Sequence, residues 1–315
     1  MTALLADIGG THARFAVMDD QGKTSHETVF PTSEHATMCG AVRSYLADLP
    51  HDQRPHRGAF AVACPVHGDR VQFTNLDWAF SIRSVTDQLG LMQLSVVNDF
   101  AAIAHALPAL AVRGSRPIGG GQVVKDLPMA VLGPGTGLGV SGWIPSGAGG
   151  VVLDTEGGHV TLAARTDEEA AVVDILRGRF GHVSAERAIS GPGLMNLYQA
   201  LCAIEGVQEQ DHQPQDITTH AHADPKSIEA RTVGMFCGFL GTVAGDLALS
   251  LGARGGVFIA GGIPGKLGSA FDESCFRARF EDKGRFSEYL AAIPTLLITN
   301  PNPAFLGLAA MLTHQ

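Results

Sequence analysis

The chain has 315 residues and a formal net charge of −9, from 22 Lys+Arg against 31 Asp+Glu. Hydrophobic residues make up 45% and charged residues only 17%, which excludes a disordered chain and supplies a large dry core for roughly two domains of about 150 residues each. The acidic balance repels phosphate backbones and argues against nucleic acid as a partner. The 39 glycines show no G-X-Y period, so they mark tight turns or close backbone approaches rather than collagen.

Five cysteines (Cys39, Cys64, Cys202, Cys237, Cys275) are widely spaced and form no C-x-x-C. That favours reduced thiols in a cytoplasmic protein over a disulfide framework or a structural zinc site. The N-terminal Ala3-Leu4-Leu5-Ala6 is too short for a signal peptide and has no basic flank.

In chain order, residues 3–8 are an apolar run ending in Asp7-Ile8-Gly9-Gly10-Thr11, followed by alternating residues 13–17. The pattern predicts strand, glycine turn, strand. Residues 58–64 predict a buried strand stopped by Pro65, and residues 94–97 another, leading into a helix from Phe100 that Pro108 ends. The pattern then restarts about 125 residues later: the strand 129–132 runs into Gly133-Pro134-Gly135-Thr136-Gly137-Leu138-Gly139 and a second strand. Thr166 and Glu169 have capping-box spacing and open a helix. Ser184 caps a short helix holding Glu186, and another helix starts at Gly193. Residues 211–226, rich in His, Asp and Pro, read as a surface loop, so His212 and His220 carry no signal.

Residues 232–252 resemble a membrane span, with Asp246 as the only charge. A charge in mid-span costs about 2.5–3.5 kcal/mol, and the glycines are dense, so a helix buried inside a soluble domain is the expectation. A strand at 257–260, the turn Gly261-Gly262, a strand ending at Ile298 and a helix over 304–312 complete an α/β chain of two similar halves.

A glycine turn points backbone N–H groups at an oxyanion with no Cβ in the way. One such turn reads equally well as a tight hairpin. Two with the same layout, each with a Thr hydroxyl, are suited to gripping a polyphosphate, with the Asp7 carboxylate placed to hold its hydrated magnesium. Other phosphate motifs fail. Gly265-Lys266 is followed by Leu267 rather than Ser or Thr, with Ala260 where a Walker loop needs Gly, and the G-x-G-x-x-G over 137–142 runs into Trp143 rather than a helix. Asn98-Asp99 stands where a strand meets a helix. Asp99 is placed there either to take a proton from an alcohol or merely to cap the helix. Glu156 and His159 flank a glycine pair and read as a polar site or a solvated turn. Glu186 reads as a ligand or as a complement to the helix dipole, and Thr74-Asn75 as a ligand pair or a polar turn. No H-E-x-x-H or Cys/His cluster in the sequence suggests a protein-bound metal.

Together these segments resemble the bacterial glucokinases of the hexokinase-like group, in the actin/hexokinase/Hsp70 superfamily. The resemblance is carried by residues 5–11, Thr74-Asn75 with 78–81, 97–100, 135–139, 156–160, 181–187 with 190–193, and 255–262. It implies duplicated ribonuclease-H-like (actin-like ATPase) domains flanking a deep cleft: a small domain over 1–109, completed by the helix 301–315, and a large one over 110–300. It implies ATP-dependent phosphorylation of glucose at the 6-hydroxyl, feeding glycolysis, in a cytoplasmic homodimer with ATP and Mg2+, without a membrane or nucleic-acid partner. A kinase for another hexose and a non-catalytic sugar sensor are the alternatives.

By position, the resemblance makes Asp99 the general base, and Asn98, Glu156, His159 and Glu186 the other sugar ligands. It makes Ala6, Asp7, Ile8, Gly9, Gly10 and Thr11 the first phosphate hairpin, Gly135, Thr136 and Gly137 the second, and Gly261-Gly262 the adenosine motif. One position departs from the family: His12 stands where Asn is usual, which bears on nucleotide affinity. The Cys-rich zinc signature of related sugar kinases is also missing.

Overall fold

A strand covered on both faces must be apolar without alternation, and β1 (Ala3–Ile8) meets that condition at every position but Asp7. It pairs antiparallel with β2 (His12–Met18), which pairs antiparallel with β3 (Thr24–Pro31). After α1 (Met38–Ala47), β4 (Arg57–Val62) joins β1 in parallel on its other side. The ribbon of β5 (Arg70–Gln72) and β6 (Ala79–Ser81) and then α2 (Ile82–Leu89) lead to β7 (Gln93–Asn98), parallel to β4. The sheet order is β3-β2-β1-β4-β7, and α3 (Asp99–Leu110) follows β7 with no intervening loop. Phe15 stacks on Tyr45 at 5.2 Å inside this core, with Phe60 also fully buried. The computed structural model describes residues 2–50, 53–73, 76–147 and 150–313; Thr74 and Asn75 lie outside them.

The plan is then repeated. After β8 (Ser115–Pro117), β9 (Met129–Pro134) and β10 (Leu138–Ile144) form an antiparallel hairpin, with β11 (Val151–Thr155) next to β10. Four helices follow: α4 (Asp167–Phe180), α5 (Gly191–Glu205), α6 (Pro214–Ala223) and α7 (Ile228–Leu251). Then β12 (Gly256–Ile259) adds in parallel to β9. The short helices α8 (Gly262–Leu267), α9 (Ser269–Asp272), α10 (Phe276–Glu281) and α11 (Ser287–Ala291) precede β13 (Thr295–Ile298), which is parallel to β12, and α12 (Pro303–Thr313) ends the fold. The second sheet runs β11-β10-β9-β12-β13-β8. Its first five strands repeat the first sheet's order of hairpin and parallel neighbours, with β8 added antiparallel at the edge. This is the duplicated α/β plan that the two glycine turns announced.

The chain divides into two compact units. Unit 1 comprises Met1–Pro108, Ser146–Asp154 and Asn300–Gln315; unit 2 comprises Ala109–Pro145 and Thr155–Thr299.

Two expectations need correction. Pro108 does not end α3, which runs on to Leu110. A proline in the final turn deprives one carbonyl of its donor and leaves the earlier turns intact. Residues 211–226 are not all loop, because they contain α6. Pro214 fits the first helical position, where its missing N–H costs nothing, and Asp216 accepts from the Gln213 N–H at 2.7 Å, so the polar segment still nucleates a helix.

The apolar α7 is long enough to cross a membrane by length and composition, but its most apolar window is mostly buried inside unit 2, against α5, α6, α10 and β9. Its glycines serve that packing. A Cβ on Gly241 would lie 2.2 Å from the Phe276 carbonyl oxygen, and one on Gly245 2.6 Å from that of Phe280. Asp246 forms an ion pair with Lys283 at 2.6 Å. A Gly241→Ala variant gains helix propensity but must push α10 away, at a net cost of about 1–3 kcal/mol. Calorimetry should therefore show a midpoint several degrees lower.

Candidate active site

In unit 1, the carboxyl ends of the parallel strands gather the chemistry, where ligands of open α/β sheets bind. β1 and β7 flank β4, and each ends in a carboxylate: Asp7 on β1, and Asp99 one residue beyond β7. Asp99 does not cap α3 alone. Asn98 Oδ1 accepts from the Phe100 N–H at 2.9 Å and the Ala101 N–H at 3.3 Å, while its Nδ2 donates to the Cys64 carbonyl at 3.4 Å. The cap is thus Asn98, whose side chain is committed to the start of α3. Asp99 Oδ1 also accepts from Phe100 N–H at 2.9 Å.

Burial acts on both carboxylates. Burial pushes Asp7 above its ordinary range, opposed by the Arg14 guanidinium, which donates to Asp7 Oδ2 at 3.2 Å. Asp7 and Arg14 are directly opposite in the β1–β2 register, so the hairpin itself supplies the counter-ion. Burial also pushes Asp99 up, the Asp7 charge adds to it, and Asp99 reaches about 7. A carboxylate that titrates there is matched to proton transfer near neutrality. The sequence reading did not single out Arg14. Hairpin register was the signal that could have found it, since residues seven apart face each other across this turn.

The first glycine turn is closed by the Gly9 N–H donating to the His12 carbonyl at 2.9 Å. Thr32 braces it, donating its hydroxyl to the Gly10 carbonyl at 3.0 Å and its N–H to the Thr11 carbonyl at 2.9 Å. Gly10 and Thr11 are exposed. Position 12 contributes its backbone to the turn, so the exposed His12 side chain is not needed to build it.

In unit 2, the second turn is a hub. Gly135 N–H closes it onto the Gly137 carbonyl at 2.8 Å. Four sequence motifs then converge on it. Gly191 N–H donates to the Gly135 carbonyl at 2.8 Å. Leu138 N–H donates to Glu186 Oε2 at 2.9 Å, and a Cβ on Gly137 would collide with that same oxygen at 2.4 Å. A Cβ on Gly158 would lie 2.0 Å from the Leu138 carbonyl oxygen, and one on Gly261 2.2 Å from that of Pro134. Gly261 has φ +86° and precedes α8, so the Gly261-Gly262 turn rests on the start of the second glycine turn.

The glycine pair 157–158 thereby presses Glu156 and His159 onto the same hairpin. Both side chains are exposed, with His159 Nε2 3.9 Å from Glu156 Oε2. Their segment is tied to that of Glu186 by the Ala185 N–H to Val160 carbonyl bond at 2.8 Å and the Leu162 N–H to Val183 carbonyl bond at 2.9 Å. Unit 1 thus brings together Asp7, the turn at 9–11, Asn98 and Asp99. Unit 2 brings together the turn at 135–137, Glu156, His159, Glu186 and Gly261-Gly262.

Comparison with known proteins identifies the family. The sequence profile of the glucokinase family matches residues 4–315. The glucokinase of Nitrobacter hamburgensis is 52% identical over 98% of this chain and 97% of its own length. That of Paramagnetospirillum magneticum is 50% identical over 98% and 97%. The crystal structure of a glucokinase from an Antarctic psychrotroph superimposes with a TM-score of 0.89 at 38% identity, covering 100% of this chain and 99% of that one. The chain belongs to the glucokinase family.

Proposed function

We propose that Asp99 is the base of the ATP-dependent phosphorylation of glucose, the reaction of the family to which the chain belongs. The observation that carries the assignment is a carboxylate at the mouth of the parallel strands, raised by burial and by Asp7 to about 7. Asp99 takes the proton of the glucose 6-hydroxyl as that oxygen bonds to the γ-phosphorus. The bond from the γ-phosphorus to the β,γ-bridging oxygen breaks, and ADP leaves with its electron pair. Little covalent work falls to the protein in such a transfer, which depends on positioning and charge stabilisation.

Glu156, His159 and Glu186 are assigned to the sugar hydroxyls. Asn98 joins them through the start of α3, which it fixes. The two glycine turns supply N–H donors to the phosphates, and Gly261-Gly262 lets the backbone approach the adenosine. Magnesium fits this donor set. Asp7 offers a single hard oxygen ligand beside the first turn, its other oxygen being held by Arg14, which suits an ion kept mainly by water and phosphate. The ion would neutralise charge on the transferring group. Five free cysteines accord with a reducing cytoplasm, and a homodimer rests on the family resemblance.

A polar site rejects sugars that leave its buried groups unpaired. ADP release should therefore be strictly sugar-dependent, with glucose preferred over mannose and fructose in kcat/KM. Comparable values for another hexose would move the assignment to that sugar. Sugar binding without ADP release would make the chain a sensor.

A further inference from the structure

Away from the site above, three side chains of unit 2 converge on one point. His212, just ahead of α6, is buried, and its Nε2 lies 3.0 Å from Oε1 of Glu229, buried in the first turn of α7. The His212 ring packs between Tyr198, at 5.1 Å between centroids, and His220 of α6, at 4.9 Å. One donor atom from each of His212, His220 and Glu229 falls within 4.8 Å of the others. His212 and Glu229 are held in the interior, whereas His220 is exposed. The sequence reading set these histidines aside as loop residues. Separations of eight and nine residues match no metal motif, and only the α6–α7 packing brings the three together.

We propose that His212, His220 and Glu229 form a binding site for a zinc-class divalent cation. Two imidazoles and one carboxylate suit borderline cations such as zinc, whereas calcium and magnesium prefer all-oxygen shells. Bonds of about 2.0–2.1 Å in a tetrahedron place ligand atoms roughly 3.3 Å apart. The His212–Glu229 pair already has nearly that spacing. The remaining edges, within 4.8 Å, would have to shorten on binding, and the exposure of His220 leaves the fourth position to water.

Binding would replace the contact between His212 and Glu229 with bonds from both side chains to the cation. The bound ion would fasten the end of α6 to the start of α7.

The test uses full-length, tag-free protein stripped with a chelator. Zinc chloride is titrated against a chromophoric chelator, and the wild type should take up one equivalent. His220→Gln, an exposed change that spares the fold, should weaken that uptake tenfold or more while leaving kcat unchanged. Cobalt(II) should give tetrahedral d–d bands in the wild type and lose them in the variant. No stoichiometric uptake by the wild type, or uptake unchanged in His220→Gln, overturns the proposal.

Discussion

An Asp99→Asn enzyme should lose about 10²–10⁴-fold in kcat, the usual contribution of a positioned base, with the KM for glucose changed only a few-fold. The amide keeps the Oδ1 that accepts from Phe100 N–H, so α3 and Asn98 stay in place and only proton acceptance is removed. The wild-type pH profile follows from the same group. Asp99 must be ionised to act, and it ionises near 7, so kcat/KM should rise with pH through an acid limb at about that value. The residual activity of the variant should lack the limb. Stability should move the other way. The folded state holds a proton on Asp99 up to about 7, against an ordinary 3.8, so wild-type stability falls as pH rises between those values. Asn carries no such penalty, and the variant should melt a few degrees higher at pH 8. A variant within tenfold of the wild-type kcat, measured by ADP release, would refute the assignment of the base.

A Gly261→Ala enzyme should show a KM for ATP at least tenfold higher, with glucose affinity retained. Two physical penalties combine at this position. The backbone sits at φ +86°, where a Cβ costs about 1–2 kcal/mol. That Cβ would also lie 2.2 Å from the carbonyl oxygen of Pro134, a backbone atom that cannot rotate away. Either α8 retreats or the Pro134–Gly135 peptide shifts, and both move N–H donors assigned to the nucleotide. Steady-state kinetics with ATP varied, alongside equilibrium glucose binding, separates this from a general loss of structure. An unchanged KM for ATP would remove Gly261 from the nucleotide site.

Local chemistry made much of this molecule readable in advance. The repeated strand–glycine–strand pattern disclosed the duplication, because a central strand must be apolar throughout and the glycines mark where its hairpin turns. The Thr166–Glu169 capping box was equally plain, and it is formed. What stayed hidden depends on tertiary pairing. Asn98 reads in sequence as a sugar ligand, and only the folded chain shows that its side chain also caps α3. Glu186 reads in sequence as a first-turn carboxylate, and only folding brings it to the Leu138 N–H, 48 residues away. His212 looked solvated, because nothing in a His/Asp/Pro-rich stretch reveals that Glu229 will bury it. Polar segments state their composition but not their partners.

The bond from Leu138 N–H to Glu186 has a thermodynamic consequence. If that turn takes the phosphates as proposed, a carboxylate lodged there would oppose the binding of polyphosphate until it moved. On the same proposal, a sugar hydroxyl that drew the Glu186 oxygen toward itself would lessen that opposition and free an amide for the incoming group. Linkage makes the effect mutual: whatever factor the carbohydrate adds to ATP affinity, ATP returns to the carbohydrate. Such synergy would keep the enzyme from spending ATP on water when no sugar is at hand.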